Sequence, residues 1–71
     1  MNTDLLKKFG LHLRNLRLDR KMSQIDLAYK GEFDRNYIGM LERGERNPSL
    51  KNLKRLAQAL DITLTELVNF E

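Results

Sequence analysis

Apolar residues recur along the whole chain at spacings of three and four, the period of an α-helix that buries one face. No run alternates apolar and polar residues as a half-buried strand would, and no two-residue hairpin turn joins two such runs. The clearest stripe lies in a helix predicted over residues 3–20 and consists of Leu6, Phe9, Leu13 and Leu16. The pattern predicts an all-α fold.

Capping signals mark the starts of further helices. Two pairs have the three-residue offset of a capping box, Ser23 with Asp26 and Thr63 with Glu66, and each predicts a helix start. Ser49 precedes another apolar stripe and predicts a fourth helix in the same way. The second helix is expected to end near residue 30, before Gly31. With the third helix described next, the chain is predicted to form five helices.

The third helix is predicted over residues 35–43, between Asp34 as a cap and Gly44 as a stop. On a wheel at 100° per residue, Ile38 and Leu41 share the inward face. The wheel places these residues outward or at the side: Arg35, Asn36, Gly39, Met40 and Arg43. Because glycine costs a helix about 1 kcal/mol relative to alanine, an outward Gly39 suggests that a ligand approaches the backbone closely.

Composition limits the chain to one small soluble domain. It has 71 residues, of which 41% are hydrophobic and 32% charged. It contains no cysteine, which excludes disulfides and thiolate zinc sites. No apolar run approaches the roughly 18 residues of a membrane span, and the N-terminus has no signal-peptide pattern. We expect a cytoplasmic protein without a membrane partner, metal, cofactor or small-molecule ligand.

Charge is unevenly distributed along the chain. Residues 1–55 contain all 13 Lys and Arg and seven acidic residues, a net charge of +6. Residues 56–71 contain three acidic residues and no basic one, a net charge of −3. The difference favours a basic surface for a polyanion and a separate role for the C-terminal end.

The leading end of the third helix carries side chains that can read DNA bases. Arginine can donate two hydrogen bonds to guanine O6 and N7, and asparagine can pair with adenine N6 and N7. A short helix held across another helix is the arrangement that enters a DNA major groove. We therefore predict base contacts by Arg35 and Asn36. The alternative is an ordinary solvated first turn.

Other polar residues are predicted to contact the DNA backbone. The N–H groups at the start of the second helix, at Ser23 and Gln24, form a natural phosphate site. A polar, basic segment that follows the third helix can hold the sugar-phosphate backbone: Arg43, Arg46, Asn47, Lys51 and Lys54. Arg46 and Asn47 are also suited to a simple turn before Pro48. Met40 is predicted either to pack or to contact a thymine methyl group.

Three stretches resemble the Xre/Cro/phage-repressor class of helix-turn-helix proteins: MSQIDLA, RNYIGMLERGERNPSL and LAQALDITLTEL. The resemblance extends from about Phe9 to Leu67. It implies one compact, lambda-repressor-like, five-helix domain over 1–71, with the helix-turn-helix at about 23–43. It also implies a transcriptional regulator, often a homodimer on palindromic operators. The stretches LAYK and DRNYI resemble, more narrowly, the controller proteins of restriction-modification systems.

The resemblance also implies roles for individual residues. Gln24 would contact phosphate, Tyr37 would join Arg35 and Asn36 in base and adjacent backbone contacts, and Arg46 and Asn47 would touch DNA after the helix. Tyr37 could equally lie over the edge of the core with its hydroxyl in water. Arg17 and Glu42 match an ion pair that ties helix one to helix three.

The chain departs from the family pattern at two places. Gly31 and Glu32 stand where the family has an apolar residue and then glycine, which predicts either a shifted turn or positive φ at Glu32. Lys21 stands where helix one normally ends in glycine, which predicts strain at Lys21.

The C-terminal end is more apolar than one small core requires. We predict a dimerisation segment at about 58–71 that forms a self-complementary patch: Leu60, Leu64, Leu67 and Phe70. The alternative is that all of these residues fold inward. The expected partners are double-stranded DNA and a second copy of the chain, and RNA polymerase is a further candidate.

Three classes of function remain in competition. The first is a sequence-specific, homodimeric DNA-binding regulator. The second is a helix-turn-helix antitoxin or adaptor that acts mainly through protein contacts. An enzyme is a distant third, because one His, no Cys and no carboxylate pair beside a nucleophile leave no catalytic constellation. His12 is expected to be a surface residue rather than a metal ligand.

Overall fold

The computed structural model describes residues 3–71 and contains five α-helices. They are α1 (Thr3–Asp19), α2 (Gln24–Gly31), α3 (Tyr37–Glu42), α4 (Leu50–Leu60) and α5 (Leu64–Val68). No strand occurs within residues 3–71, which confirms the predicted all-α, five-helix fold. None of these helices combines the length and the apolar character that crossing a bilayer requires.

One hydrophobic core joins all five helices. It is built from Phe9, Leu13, Leu27, Ala28, Ile38, Leu41, Leu56, Ala57, Ala59, Leu60 and Leu67. Each fully buried Leu or Ile stabilises the fold by about 1.5–3 kcal/mol through removal of apolar surface from water. Ile38 and Leu41, the predicted inward residues of α3, are both in this core. The inner face of the short third helix is therefore held by hydrophobic packing.

Helix α1 approaches the end of α3 unusually closely at Gly10. A Cβ atom at Gly10 would lie 2.5 Å from the carbonyl oxygens of Leu41 and Glu42. Since backbone atoms cannot move aside as a flexible side chain can, this crossing requires glycine. The helical pattern of α1 carries no sign of this requirement.

The predicted capping boxes are present at the starts of α2 and α5. The Ser23 hydroxyl accepts a hydrogen bond from the Asp26 N–H, and the Asp26 carboxylate accepts one from the Ser23 N–H, both at 2.9 Å. Thr63 and Glu66 form the same reciprocal pair. These bonds satisfy N–H groups that a helix leaves unpaired at its first turn.

The start of α3 differs from the prediction. The Asp34 carboxylate accepts a hydrogen bond from the Asn36 N–H at 2.9 Å, which forms a turn rather than a helix cap. The helix begins only at Tyr37 and has six residues. Arg35 and Asn36 consequently lie in the turn before α3 and not in its first helical turn.

Three helices end at a non-glycine residue in the left-handed conformation. These residues are Lys21 (φ 56°), Glu32 (φ 59°) and Asp61 (φ 59°). The residue after each is apolar, packs against the core and returns its N–H to the preceding helix, as in a Schellman motif. Positive φ at Glu32 is confirmed, and the strain expected at Lys21 takes the same form. A left-handed residue costs roughly 1–2 kcal/mol, which burial of the following side chain offsets.

The predicted apolar patch at the C-terminal end is wrong for two of its four residues. Leu60 is 1% exposed and Leu67 is 0% exposed, and both belong to the core. Helix α5 packs against α1 and α4, so its inner side completes the core of this small domain. Leu64 and Phe70 are partly buried, and the Phe70 ring meets the Phe9 ring edge-on at 5.7 Å.

Candidate nucleic-acid interface

Arg35 and Asn36 project from the turn that joins α2 to α3, and both are exposed. The Asn36 backbone is held by the Asp34 carboxylate, while its own side chain makes no capping bond to the helix. Their guanidinium and carboxamide groups therefore stand beside each other in sequence, outside the core. This is the placement that reading of base edges requires.

Tyr37, the first residue of α3, is partly buried and linked to several neighbours. Its ring stacks on Phe33 with a centroid separation of 5.2 Å. Its hydroxyl accepts a hydrogen bond from Asn52 Nδ2 at 3.0 Å. The Arg46 guanidinium carbon lies 5.6 Å from the ring centroid, within cation–π range. Tyr37 thus lies over the edge of the core, with its hydroxyl bonded to α4.

One residue that the helical wheel placed outward, Gly39, is covered, whereas Arg35, Asn36 and Arg43 are exposed as predicted. Gly39 is buried, and a Cβ there would lie 3.1 Å from Arg43 Nη1 and 3.2 Å from Gln24 Oε1. The expected open backbone at Gly39 is therefore wrong, because side chains from α2 and from the end of α3 cover it. Met40 is half-buried, and its sulfur lies 3.5 Å from Arg46 Nη1.

A buried ion pair anchors the C-terminal end of α3. Arg17 Nε and Nη2 donate to Glu42 Oε2 and Oε1 at 2.7 and 3.0 Å. Arg17 Nη1 also donates to the Met22 carbonyl at 2.8 Å. The hydrogen bond to Glu42 raises the pKa of Arg17 above its ordinary value, so the guanidinium stays charged. The pair that the family resemblance implied is thus a contact between α1 and α3.

Gln24 connects α2 to this ion pair. Its Nε2 donates to Glu42 Oε1 at 3.1 Å, although the residue is exposed. Ser23 is also exposed, and its hydroxyl accepts the capping bond from Asp26. The hydrogen bond from the Ser23 N–H lowers the pKa of Asp26 below its ordinary value, so a negative charge stands at the start of α2. An anion bound there would lie beside this carboxylate.

The basic segment after α3 is accessible. All five residues predicted there to contact the DNA backbone are exposed: Arg43, Arg46, Asn47, Lys51 and Lys54. Arg43 Nε forms an ion pair with Glu45 Oε2 at 2.9 Å, with side-chain exposures of 60% and 54%. A pair this exposed contributes little to stability, so Arg43 can exchange this partner for a phosphate at low cost.

Two residues of α4 contact the two ends of the connection between α2 and α3, and no sequence pattern pointed to them. Asn52 bonds to the Tyr37 hydroxyl. Arg55 Nη2 donates to the carbonyls of Gly31 and Glu32 at 2.8 and 2.6 Å. Both residues lie on a helix whose sequence has the pattern of an ordinary amphipathic segment. Their proximity to the connection between α2 and α3 arises only from the packing of α4 against α2.

The arrangement of α2, turn and α3 is that of a helix-turn-helix. A helix-turn-helix family model, HTH_3, matches residues 13–67. The chain belongs to this family. This assignment confirms the resemblance to Xre-type helix-turn-helix proteins.

Several relatives of this helix-turn-helix protein carry the name of control or controller proteins. Control protein C.BamHI of Bacillus amyloliquefaciens is 37% identical over 71 residues, which are 99% of this chain and 88% of that protein. Control protein C.MunI of a Mycoplasma species is 40% identical over 65 residues, covering 90% and 88%. The crystal structure of the restriction-modification controller protein C.AhdI from Aeromonas hydrophila matches with a TM-score of 0.85 and 52% identity, covering 90% and 96%.

Proposed function

We propose that this protein is a sequence-specific DNA-binding transcriptional regulator. The observation that carries the proposal is the exposure of Arg35 and Asn36 on a turn whose two flanking helices are packed into the core. A guanidinium and a carboxamide in adjacent positions offer donors and acceptors for two neighbouring base pairs. The exposed Arg43, Arg46 and Lys51 follow along the chain and can neutralise phosphates on either side.

The similarity to controller proteins supports a finer assignment. C.BamHI and C.MunI are named control proteins, and C.AhdI is described as a restriction-modification controller protein. We propose that this chain likewise controls expression of restriction-modification genes, by binding a palindromic operator.

Selection of bound sites from a random duplex pool tests both levels of the proposal. A sequence-specific regulator is expected to enrich one motif, and a homodimer is expected to enrich it as an inverted repeat. Affinity for the enriched duplex should fall steeply with salt concentration, because several phosphate contacts release counterions. Enrichment of no motif together with a flat salt response would reject DNA recognition and favour an adaptor that binds protein.

Substitution of Arg35 distinguishes base contact from phosphate contact. Arg35→Ala is expected to cost about 1–3 kcal/mol on the selected duplex and to relax preference at one base pair. Lys51→Ala is the matched control, since loss of a phosphate contact should weaken all sequences alike and reduce the salt slope by about 1. The measurement is a set of dissociation constants for the selected duplex and its single-base-pair variants. If Arg35→Ala weakened binding to all duplexes equally, Arg35 would make no base-specific contact.

We also propose that the protein binds DNA as a homodimer, through the outer side of α5. With Leu60 and Leu67 in the core, the surface available there is the exposed Val68 and Leu5 beside the partly buried Leu64 and Phe70. Residues 56–71 contribute three acidic residues and no basic one, so this end of the chain favours nucleic acid less than the basic segment after α3 does. Two copies joined here would need to place their Arg35 residues about 34 Å apart, one turn of DNA.

Sedimentation of a charged variant tests this interface. Val68→Glu places a carboxylate on the proposed contact without entering the core, and it is expected to sediment as a monomer. Tyr29→Glu is the matched control, because Tyr29 is an exposed apolar residue on α2 and should leave the dimer intact. A Val68→Glu protein with the mass of the wild-type dimer would exclude α5 from the interface.

A further inference from the structure

Four side chains form a closed ring of contacts that fastens both ends of the exposed turn carrying Arg35 and Asn36 to α4. Two members of the ring lie on α4 (Asn52 and Arg55), and two flank the exposed pair in sequence (Phe33 and Tyr37). The links are the stack of Phe33 on Tyr37, the hydrogen bond from Asn52 to the Tyr37 hydroxyl, the hydrogen bond from Arg55 to Asn52 and the cation–π contact of Arg55 with Phe33.

Arg55 holds the end of the turn that follows α2. Its Nη2 donates to the carbonyls of Gly31 and Glu32, which lie at the C-terminal end of α2 where helix carbonyls lack helical partners. A cation is favoured at that end of a helix by the helix dipole. The same planar group lies 4.2 Å from the Phe33 ring centroid and so covers the residue that follows the strained Glu32.

Asn52 holds the end of the turn that leads into α3. Its Nδ2 donates to the Tyr37 hydroxyl at 3.0 Å, and its Oδ1 accepts from Arg55 Nη1 at 3.3 Å. The Asn52 backbone is itself bonded to the Ser49 hydroxyl at the start of α4. The Asn52 side-chain amide therefore connects Tyr37, the first residue of α3, to the capped N-terminal end of α4.

We infer that Asn52 and Arg55 are positioning residues that determine base-pair discrimination without touching DNA. They fix Phe33 and Tyr37, the residues on either side of the segment that presents Arg35 and Asn36, so they set the direction of both reading groups. A bidentate contact with a base needs a defined direction, whereas a phosphate contact tolerates displacement. The inference rests on the proposed function, because it assigns the origin of specificity at the same site.

Two α4 variants, one control and one double variant test the inference. Asn52→Ala removes the bond to Tyr37, and Arg55→Lys keeps the charge but cannot both bridge two carbonyls and lie flat on Phe33. Gln58→Ala is the control, since Gln58 is an exposed residue on the same helix. Tyr37→Phe keeps the ring and removes the hydroxyl, so it completes a double-mutant cycle with Asn52→Ala.

The main readout is the ratio of affinities for the selected duplex and for its single-base-pair variants. Asn52→Ala and Arg55→Lys are expected to lower this ratio by about fivefold or more, while affinity for unrelated duplex stays within about twofold. Tyr37→Phe should add little to the effect of Asn52→Ala, because the hydrogen bond that it removes is already lost in that variant. An unchanged ratio, or an equal loss on every duplex, would overturn the inference.

A second readout needs no DNA and separates this inference from the proposed function. Amide hydrogen exchange of the free protein should accelerate over residues 33–37 in Asn52→Ala and remain at the wild-type rate in Gln58→Ala. If the wild-type protein selected no duplex, the proposed function would fail. Faster exchange would still support the ring as the device that holds the turn, and unchanged exchange would overturn it.

Discussion

Replacement of Glu42 by alanine is expected to lower the free energy of unfolding by about 3–5 kcal/mol, the cost of leaving a buried charge without its partner. The Arg17 and Glu42 side chains are 8% and 4% exposed, so both charges are largely removed from water. Arg17 donates two hydrogen bonds to Glu42, and Gln24 donates a third. All three donors would lose their acceptor in the variant.

Urea denaturation followed by circular dichroism measures this effect, and Glu45→Ala provides the matched control. Glu45 also pairs with an arginine, but both side chains of that pair are more than half exposed. Its loss should therefore change stability by at most about 1 kcal/mol. Equal effects of the two substitutions would show that burial does not distinguish the pairs.

A double replacement separates the charge from the packing. Arg17→Met with Glu42→Leu removes both charges and retains much of the side-chain volume. It should be less destabilising than Glu42→Ala, because no buried charge remains unpaired. A small domain has only about 5–15 kcal/mol of stability in total. If Glu42→Ala does not fold, the free energy of unfolding of the double variant is compared with that of the wild-type protein instead. A double variant less stable than Glu42→Ala would contradict the account.

Replacement of Leu67 by alanine is expected to cost about 2–5 kcal/mol, through lost burial and the cavity left behind. Leu67 is 0% exposed on α5, a helix of only five residues that is held to α1 and α4 by packing. Truncation of this side chain should loosen the whole C-terminal end, including the surface proposed for dimerisation.

Val68→Ala is the matched control for Leu67→Ala. It is the adjacent residue on the same helix but is 43% exposed, so its truncation should cost well under half as much. The measurement is urea denaturation at two protein concentrations, because a dimer makes apparent stability depend on concentration. A larger effect of Val68→Ala at both concentrations would contradict the placement of Leu67 in the core.

The third helix shows how far tertiary contacts support this interface. A six-residue helix is too short to be stable alone in water, and its N-cap residue, Asn36, makes no side-chain capping bond. It is held from inside by Ile38 and Leu41, at its end by the Arg17–Glu42 pair, and at its start by α4 through Asn52. The position of the turn that carries Arg35 and Asn36 is therefore a property of the whole domain.

Sequence periodicity and capping chemistry were sufficient to predict the five helices. Ser23, Ser49 and Thr63 mark helix starts because their hydroxyls satisfy N–H groups only a few residues away. The left-handed ends at Lys21 and Glu32 were also within reach, since the family resemblance showed where glycine had been replaced. These features depend on neighbours in the sequence. The start of α3 was predicted less well, because Asp34 forms a turn with Asn36 where a helix cap was expected.

Contacts between residues that are distant in the sequence could not be predicted and became visible only in the tertiary structure. A helical stripe shows which residues are apolar but not which other helix covers them, so Leu67 was predicted at a surface although it lies in the core. The same limit explains the covered Gly39, the close crossing at Gly10 and the roles of Asn52 and Arg55. The sequence by itself determined which helices form and which polar groups precede α3. Packing of α1, α2 and α4 around that helix decided where the turn that carries those groups lies.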